Sequence, residues 1–181
     1  MNSKAGAVEQ WELKDNGAGK VVATKVRSFS VGSQTEGCVA NDKTGDFYIG
    51  EEAVAIWKYS ASPSGGNTRT QVDKTSGGHV TSNIEGLAIA NTAAGDYLFA
   101  SSQGNSSYVV YRLDGATSTY VKTFKIGDGA VDGTSGTDGI DVYSGNLGPS
   151  FPNGVFVSQD GSNNGGNQNY KLVPLQYILG N

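Results

Sequence analysis

One cysteine, one histidine and four prolines are all that the 181 residues hold of those types. The lone Cys38 excludes an internal disulfide and any cysteine-built zinc site. The lone His79 excludes a His-Glu-x-x-His metal motif and argues against a Ser-His-Asp triad. Charged residues are sparse at 17%, and they lean acidic, with a net charge of −4 and a pI near 4.9. There is no basic stripe, so the chain does not read as a nucleic-acid protein. Apolar runs last only a few residues, so nothing reads as a membrane span. Residues 1–20 lack an apolar core, and no signal peptide is read there.

What is abundant is glycine, 27 residues, with many Ser, Thr and Asn. The glycines follow no Gly-X-Y period, which excludes collagen. Val, Ile and nine Tyr separate the chain from disordered tails. No helical spacing appears until the last few residues. Short β-like runs recur instead, at Val8–Leu13, Val21–Phe29, Cys38–Ala40, Asp46–Gly50, Val54–Tyr59, Thr70–Asp73, Leu87–Ala90, Tyr97–Ala100, Tyr108–Leu113, Tyr120–Ile126, Ile140–Tyr143, Gly154–Val157 and Tyr170–Val173. Clusters of Gly, Asn, Asp and Ser separate them, and the pattern predicts an all-β fold.

The runs repeat. Thr35-Glu36-Gly37-Cys38 leads to a Gly45-Asp46 turn, then FYIGEE and AIWKYS. Ile84-Glu85-Gly86-Leu87 leads to a Gly95-Asp96 turn, then YLFASSQ and YVVYRL. Thr137-Asp138-Gly139-Ile140 leads through a longer loop to VFVSQD and NYKLVP. The acidic-glycine pair falls at 36, 85 and 138, spacings of 49 and 53. A period of about 50 residues with three or four strands per unit predicts β-propeller blades. The units give a partial blade over 1–30, blades over about 35–80 and 84–127, and an incomplete blade over about 137–175. So few blades cannot close a ring alone, and the chain reads as part of a larger propeller with open strand edges on both flanks.

In a blade the first strand lies along the central channel. Glu36, Glu85 and Asp138 are therefore expected to converge at one channel mouth. Ordinary strand-entry turn chemistry would also explain each acidic-glycine pair taken singly. Three in register point to a cation or substrate that offsets their repulsion. The segment 128–141 carries Asp128, Asp132, Asp138 and Asp141 among glycines and hydroxyls, an oxygen-rich set of the kind calcium takes, or else a solvated turn. Asp160 and Asn163 in Gln-Asp-Gly-Ser-Asn offer further oxygens. Glu51 and Glu52 are expected at a hairpin tip, facing opposite ways. Lys4 and Arg27 are lone bases, each an anion contact or a surface residue. Trp11, Trp57 and Cys38 are expected in the core, His79 on a loop surface, and Asn105-Ser106-Ser107 in a polar hairpin.

The strings SQTEGCVANDKTGDFYIGEEAVAIWKYSASP, NIEGLAIAN, YLFASSQGNSSYVVYRL, DGTSGTDGIDV, FPNGVFVSQDG and NQNYKLVP, in that order over nearly the whole chain, closely resemble the β-propeller phytases, calcium-dependent alkaline enzymes best known from bacilli. The resemblance implies a six-bladed propeller of which this chain is the C-terminal half or slightly more. It also implies hydrolysis of phytate, free or as its calcium salt, with several Ca²⁺ ions and an extracellular setting. Matched motif by motif, Glu36 in QTEG, Glu52 in GEE and Glu85 in NIEG correspond to active-site calcium ligands, and Asp138 in TDGID to a carboxylate at the mouth. Asp132 corresponds to a ligand of a structural calcium that Asp160 and Asn163 would complete, and Lys4 to a phosphate-contacting lysine.

Two positions depart from the family pattern. Asn83 stands where the family usually has Asp, keeping an oxygen but losing a charge, and Gly136 replaces an acid. The aspartate-rich N-terminal half of the family has no counterpart here. Three readings follow: a phytase or its C-terminal part, a non-catalytic calcium-stabilised propeller that binds a partner, and another calcium-dependent propeller hydrolase such as a sugar lactonase.

Overall fold

The computed structural model describes residues 1–180 and is all-β apart from a 3₁₀ turn at Gln103–Asn105 and one short C-terminal helix. Two strands, β1 (Ala7–Asp15) and β2 (Val21–Ser30), form a ribbon. A four-stranded antiparallel sheet follows in chain order: β3 (Thr35–Asn41), β4 (Asp46–Glu51), β5 (Ala55–Ser60) and β6 (Arg69–Lys74). The next sheet is β7 (Ile84–Thr92), β8 (Gly95–Ser102), β9 (Ser107–Asp114) and β10 (Thr117–Phe124). The last has three strands, β11 (Ile140–Tyr143), β12 (Val155–Asp160) and β13 (Asn169–Pro174), and then α1 (Gln176–Leu179). This is a partial, propeller-like stack of meander sheets.

Period-two alternation explains why the sheets stack. In β4, Tyr48 faces the following sheet while Ile49 faces the preceding ribbon. In β9, Val109 and Tyr111 turn to one neighbour, Tyr108 and Val110 to the other. The two middle sheets thus bury both faces, which is why their strands read as nearly continuous apolar runs. Phe99, Tyr108, Phe124 and Phe156 pack with ring centroids 5.1–5.6 Å apart between the last two sheets.

The acidic-glycine repeat has a steric reason. A Cβ on Gly37 would collide with the Glu85 carbonyl oxygen and lie 2.8 Å from the Leu87 nitrogen. A Cβ on Gly86 would lie 2.7 Å from the Ile140 nitrogen and 2.8 Å from the Asp138 carbonyl oxygen. Neighbouring inner strands β3, β7 and β11 approach so closely that only glycine fits between them. Gly139, the third of the set, has nothing within 4 Å of the same point, because β11 is the last inner strand.

A second repeat stabilises the loops that lead into the inner strands. Strand register makes Glu51, Ser102 and Asp160 equivalent at the ends of the second strands. Glu51 Oε1 accepts from Ser33 N at 2.9 Å, Ser102 Oγ from Thr81 N at 2.9 Å, and Asp160 Oδ1 from Ser135 N at 3.1 Å. All three are buried, and each ties a lead-in loop that would otherwise leave a backbone N–H unpaired.

Two expectations are corrected. Trp11 is 38% exposed, on the ribbon's outer part, with Nε1 donating to Glu9 at 3.1 Å. Cys38 is exposed, because β3 faces the side where the ribbon has only two strands. Glu51 and Glu52 stand at the β4–β5 hairpin tip as expected, and the Glu51 carboxylate turns inward there, buried and accepting from Ser33 and, at 2.7 Å, from Trp57 Nε1. Trp57, half-buried, packs against the first core and carries the Arg69 guanidinium 3.7 Å above its ring. His79 lies on a loop as expected, stacked 3.6 Å from Tyr120 and with Nδ1 3.2 Å from Asp73 Oδ2.

Candidate active site

The inner strands set their acidic residues side by side at one end of the stack. Glu36 is the second residue of β3, Glu85 the second of β7, Asp138 stands two residues before β11, and Glu52 follows the end of β4. The backbone ties them together. Glu52 N donates to Gln34 O at 2.9 Å, Ile84 N to Glu52 O at 3.0 Å, and Gly86 N to Asp138 O at 2.7 Å.

The electrostatics show how close these groups are. Burial, followed by the charges of Glu36, Glu52 and Asp138, pushes the Glu85 carboxyl up to about 7, with Lys4 acting weakly the other way. Among the described residues no hydrogen-bond donor reaches the Glu85 carboxylate. Burial first and the neighbouring acids second make the charged form of this carboxyl costly, and a bound cation would relieve that cost.

Glutamines orient two of the other acids. Gln34 Nε2 donates to Glu36 Oε1 at 2.9 Å, and Gln103 Nε2 donates to Asp138 Oδ1. Gln103 also accepts from Asn83 Nδ2 at 3.2 Å, and Gln159 Oε1 accepts from Asp138 N at 2.8 Å. Asn83 takes a left-handed backbone, φ 66°, which Asn and Asp tolerate best among non-glycine residues. Lys4 is 81% exposed, its Nζ 3.9 Å from Glu36 Oε1, so its charge hangs over the mouth. Arg27 stands apart, spent on the carbonyls of Ser60, Ser62 and Gly66 and packed over Phe29.

Sequence reading missed Gln34 and Gln103. The available signal was register: FYIGEE and YLFASSQ, aligned by strand, put Glu52 and Gln103 at the same place, one residue past the second strand.

Asp132, Asp160 and Asn163 lie away from the mouth, around the ammonium of Lys171. Lys171 Nζ is 2.6 Å from Asp132 Oδ1, 3.0 Å from Asn163 Oδ1 and 3.4 Å from Asp160 Oδ2. The bond to Lys171 holds the Asp132 carboxyl below its ordinary range, and Asp132 in turn raises the lysine. Asp128 accepts from Gly133 N at 2.9 Å within its own loop.

Among the described residues no three His, Cys, Asp or Glu side chains already form a metal cage. The donor chemistry at the mouth nevertheless fits a hard cation: carboxylates and amide oxygens, with negative charge in excess and no sulfur or imidazole.

Stacked meander sheets with carboxylates gathered where the inner strands begin define a propeller-type protein with an acidic mouth. A profile of the phytase family matches residues 1–180, and the chain belongs to that family. The 3-phytase of Bacillus subtilis strain 168 is 50% identical over 184 aligned residues, which cover 98% of this chain and 48% of that protein. The chain thus spans about half the length of the curated relative it matches.

Proposed function

We propose that the chain is the C-terminal part of a calcium-dependent phytase, acting on phytate or its calcium salt. The observation that carries this reading is the gathering of Glu36, Glu52, Glu85 and Asp138 where the inner strands begin, tied by the Glu52–Gln34, Ile84–Glu52 and Gly86–Asp138 backbone bonds. A polyanionic substrate would be repelled by that ring on its own. Glu36, Glu52, Glu85 and Asp138, with the Asn83 oxygen, would hold calcium there. When bound, calcium supplies positive charge for phosphate oxygens and acidifies coordinated water. The chain's own part is to place these carboxylates on rigid inner strands, to orient Glu36 and Asp138 through Gln34 and Gln103, and to offer Lys4 to a phosphate.

The same reading gives this half a partner. The ribbon β1–β2 has two strands where the next two sheets have four each. Between it and the next sheet lies a groove of about 720 Å³ lined by Val8, Trp11, Phe29 and Phe47. On the other flank Tyr143, Tyr170 and Leu172 are exposed, and Gly139 faces open space. Apolar flanks of this kind mark missing partners, here an N-terminal half supplying the remaining blades. A calcium site of this kind suits an extracellular setting, where calcium modules work at about 10⁻⁴–10⁻³ M.

The test is phosphate release from phytate across a calcium series, by the chain alone and joined to a preceding half. Release that depends on calcium in the joined protein is expected. Calcium binding without release at any concentration would instead favour the non-catalytic binding module, and turnover of sugar lactones without phosphate release would favour the lactonase reading.

A further inference from the structure

Residues 2–6 form the strap that carries Lys4 to the mouth, and its backbone is lightly held. It has one antiparallel bridge, Asn2 with Val8, a bond from Val31 N to Gly6 O at 2.8 Å, and a long one from Thr35 N to Ser3 O at 3.4 Å. Lys4 stands three residues before β1, as Glu52 stands three before β5. In the sheet of Glu52 that place is fixed by β4, which is paired on both edges. Among the described residues the ribbon has no such strand.

A side chain takes over the task. Asn2 Nδ2 donates to Glu36 O at 2.7 Å, to Thr35 O at 3.1 Å and to Thr35 Oγ1 at 3.3 Å. Thr35, 2% exposed, donates its hydroxyl to Ser3 O at 3.1 Å, which turns its lone pairs toward Asn2. The amide thus fixes the strap to the residue whose carboxylate Lys4 faces. Lys4 adds little of its own, since 3.9 Å from Glu36 Oε1 is too far for a hydrogen bond and the lysine side chain is exposed. Its ammonium is aimed by the backbone beneath it. The geometry points to Asn2 as a positioning residue for Lys4: its amide locks the strap onto the start of β3, so that the ammonium is already rooted beside Glu36 when a phosphate arrives. A fixed root lowers the entropy lost when a long side chain is ordered on a ligand. The inference rests on the reading of the mouth as a phosphate site, and it names a residue that touches neither phosphate nor cation.

The test is a double-mutant cycle read by calorimetry. Inositol hexasulfate, a hydrolysis-resistant polyanion of phytate's shape, is titrated into the calcium-saturated chain as wild type, Lys4→Ala, Asn2→Ala and the double variant. Lys4→Ala should weaken binding about tenfold or more, the worth of a charge-assisted hydrogen bond. Asn2→Ala should weaken it about threefold or more through lost preorganisation. In the Lys4→Ala background the same Asn2→Ala change should matter less than about twofold, because nothing is left to position. Asn2→Ser, which falls short of the three acceptors but keeps a polar end, repeats the cycle should Asn2→Ala fail to fold. In the chain joined to a preceding half, Asn2→Ala should raise KM for phytate about threefold or more and leave kcat within about twofold. Losses that add in the double variant, or a wild-type chain that binds no polyanion, overturn the inference. An intact cycle without phosphate release from phytate would count against the phytase reading alone.

Discussion

Gly86 donates its backbone N–H to the carbonyl oxygen of Asp138 at 2.7 Å, so one acidic-glycine pair rests directly on the next. A Cβ at Gly86 would meet backbone atoms on two sides. Gly86→Ala should cost about 1–3 kcal/mol, the usual penalty of overpacking. Gly139→Ala, at the equivalent place on the open side, should change the stability of this chain by no more than about 0.5 kcal/mol. Urea melts of the two variants check the contrast. Once an N-terminal half is joined, Gly139→Ala should become costly as well.

Adjacent glutamates should behave oppositely. Glu51 holds Ser33, Trp57 Nε1 and, at 3.8 Å, Arg69 from a buried position. Glu51→Ala should lose about 2–4 kcal/mol, because buried donors and a cation are left unpaired. Glu52→Gln should leave stability within about 0.5 kcal/mol and weaken calcium binding instead. Melting curves with and without calcium separate the two roles.

Glu85 sets a pH dependence whose sign follows from linkage. Its folded pKa, about 7, lies above its ordinary value of 4.5. Between those values the folded chain holds a proton that the unfolded chain has released. Calcium-free stability should therefore fall as pH rises from about 4.5 to about 7 and level off above it. Glu85→Gln should remove that slope. Calcium binding should release the proton and strengthen over the same interval. A calcium-free melting temperature that rises through this window would contradict the assignment.

Much of the fold was legible because its two periods are written in side chains. Alternation supplied the strands, and the spacing of Glu36, Glu85 and Asp138 supplied the sheets. Exceptions cluster where a neighbour is lacking: Cys38 and Trp11 carry core-type side chains but face the incomplete flank. Glu51 and Glu52 read alike in sequence, and only the strand end separates a buried clamp from a residue of the mouth. Lys171 gave no signal, since its partner Asp132 lies 39 residues away and no local pattern links them.

The central claim is that Glu85 belongs to a calcium-holding ring that performs chemistry, and its most direct test is phosphate release from phytate measured against calcium in the chain joined to an N-terminal half. Wild type, Glu85→Gln and Asn83→Asp are compared. Glu85→Gln should need more calcium and remain about 10–100-fold slower at saturation, the usual cost of disturbing a metal site. Asn83→Asp, which adds a charge beside the ring, should need less calcium. Wild-type rates for Glu85→Gln at every calcium concentration would contradict the account and leave the ring of acids as scaffold.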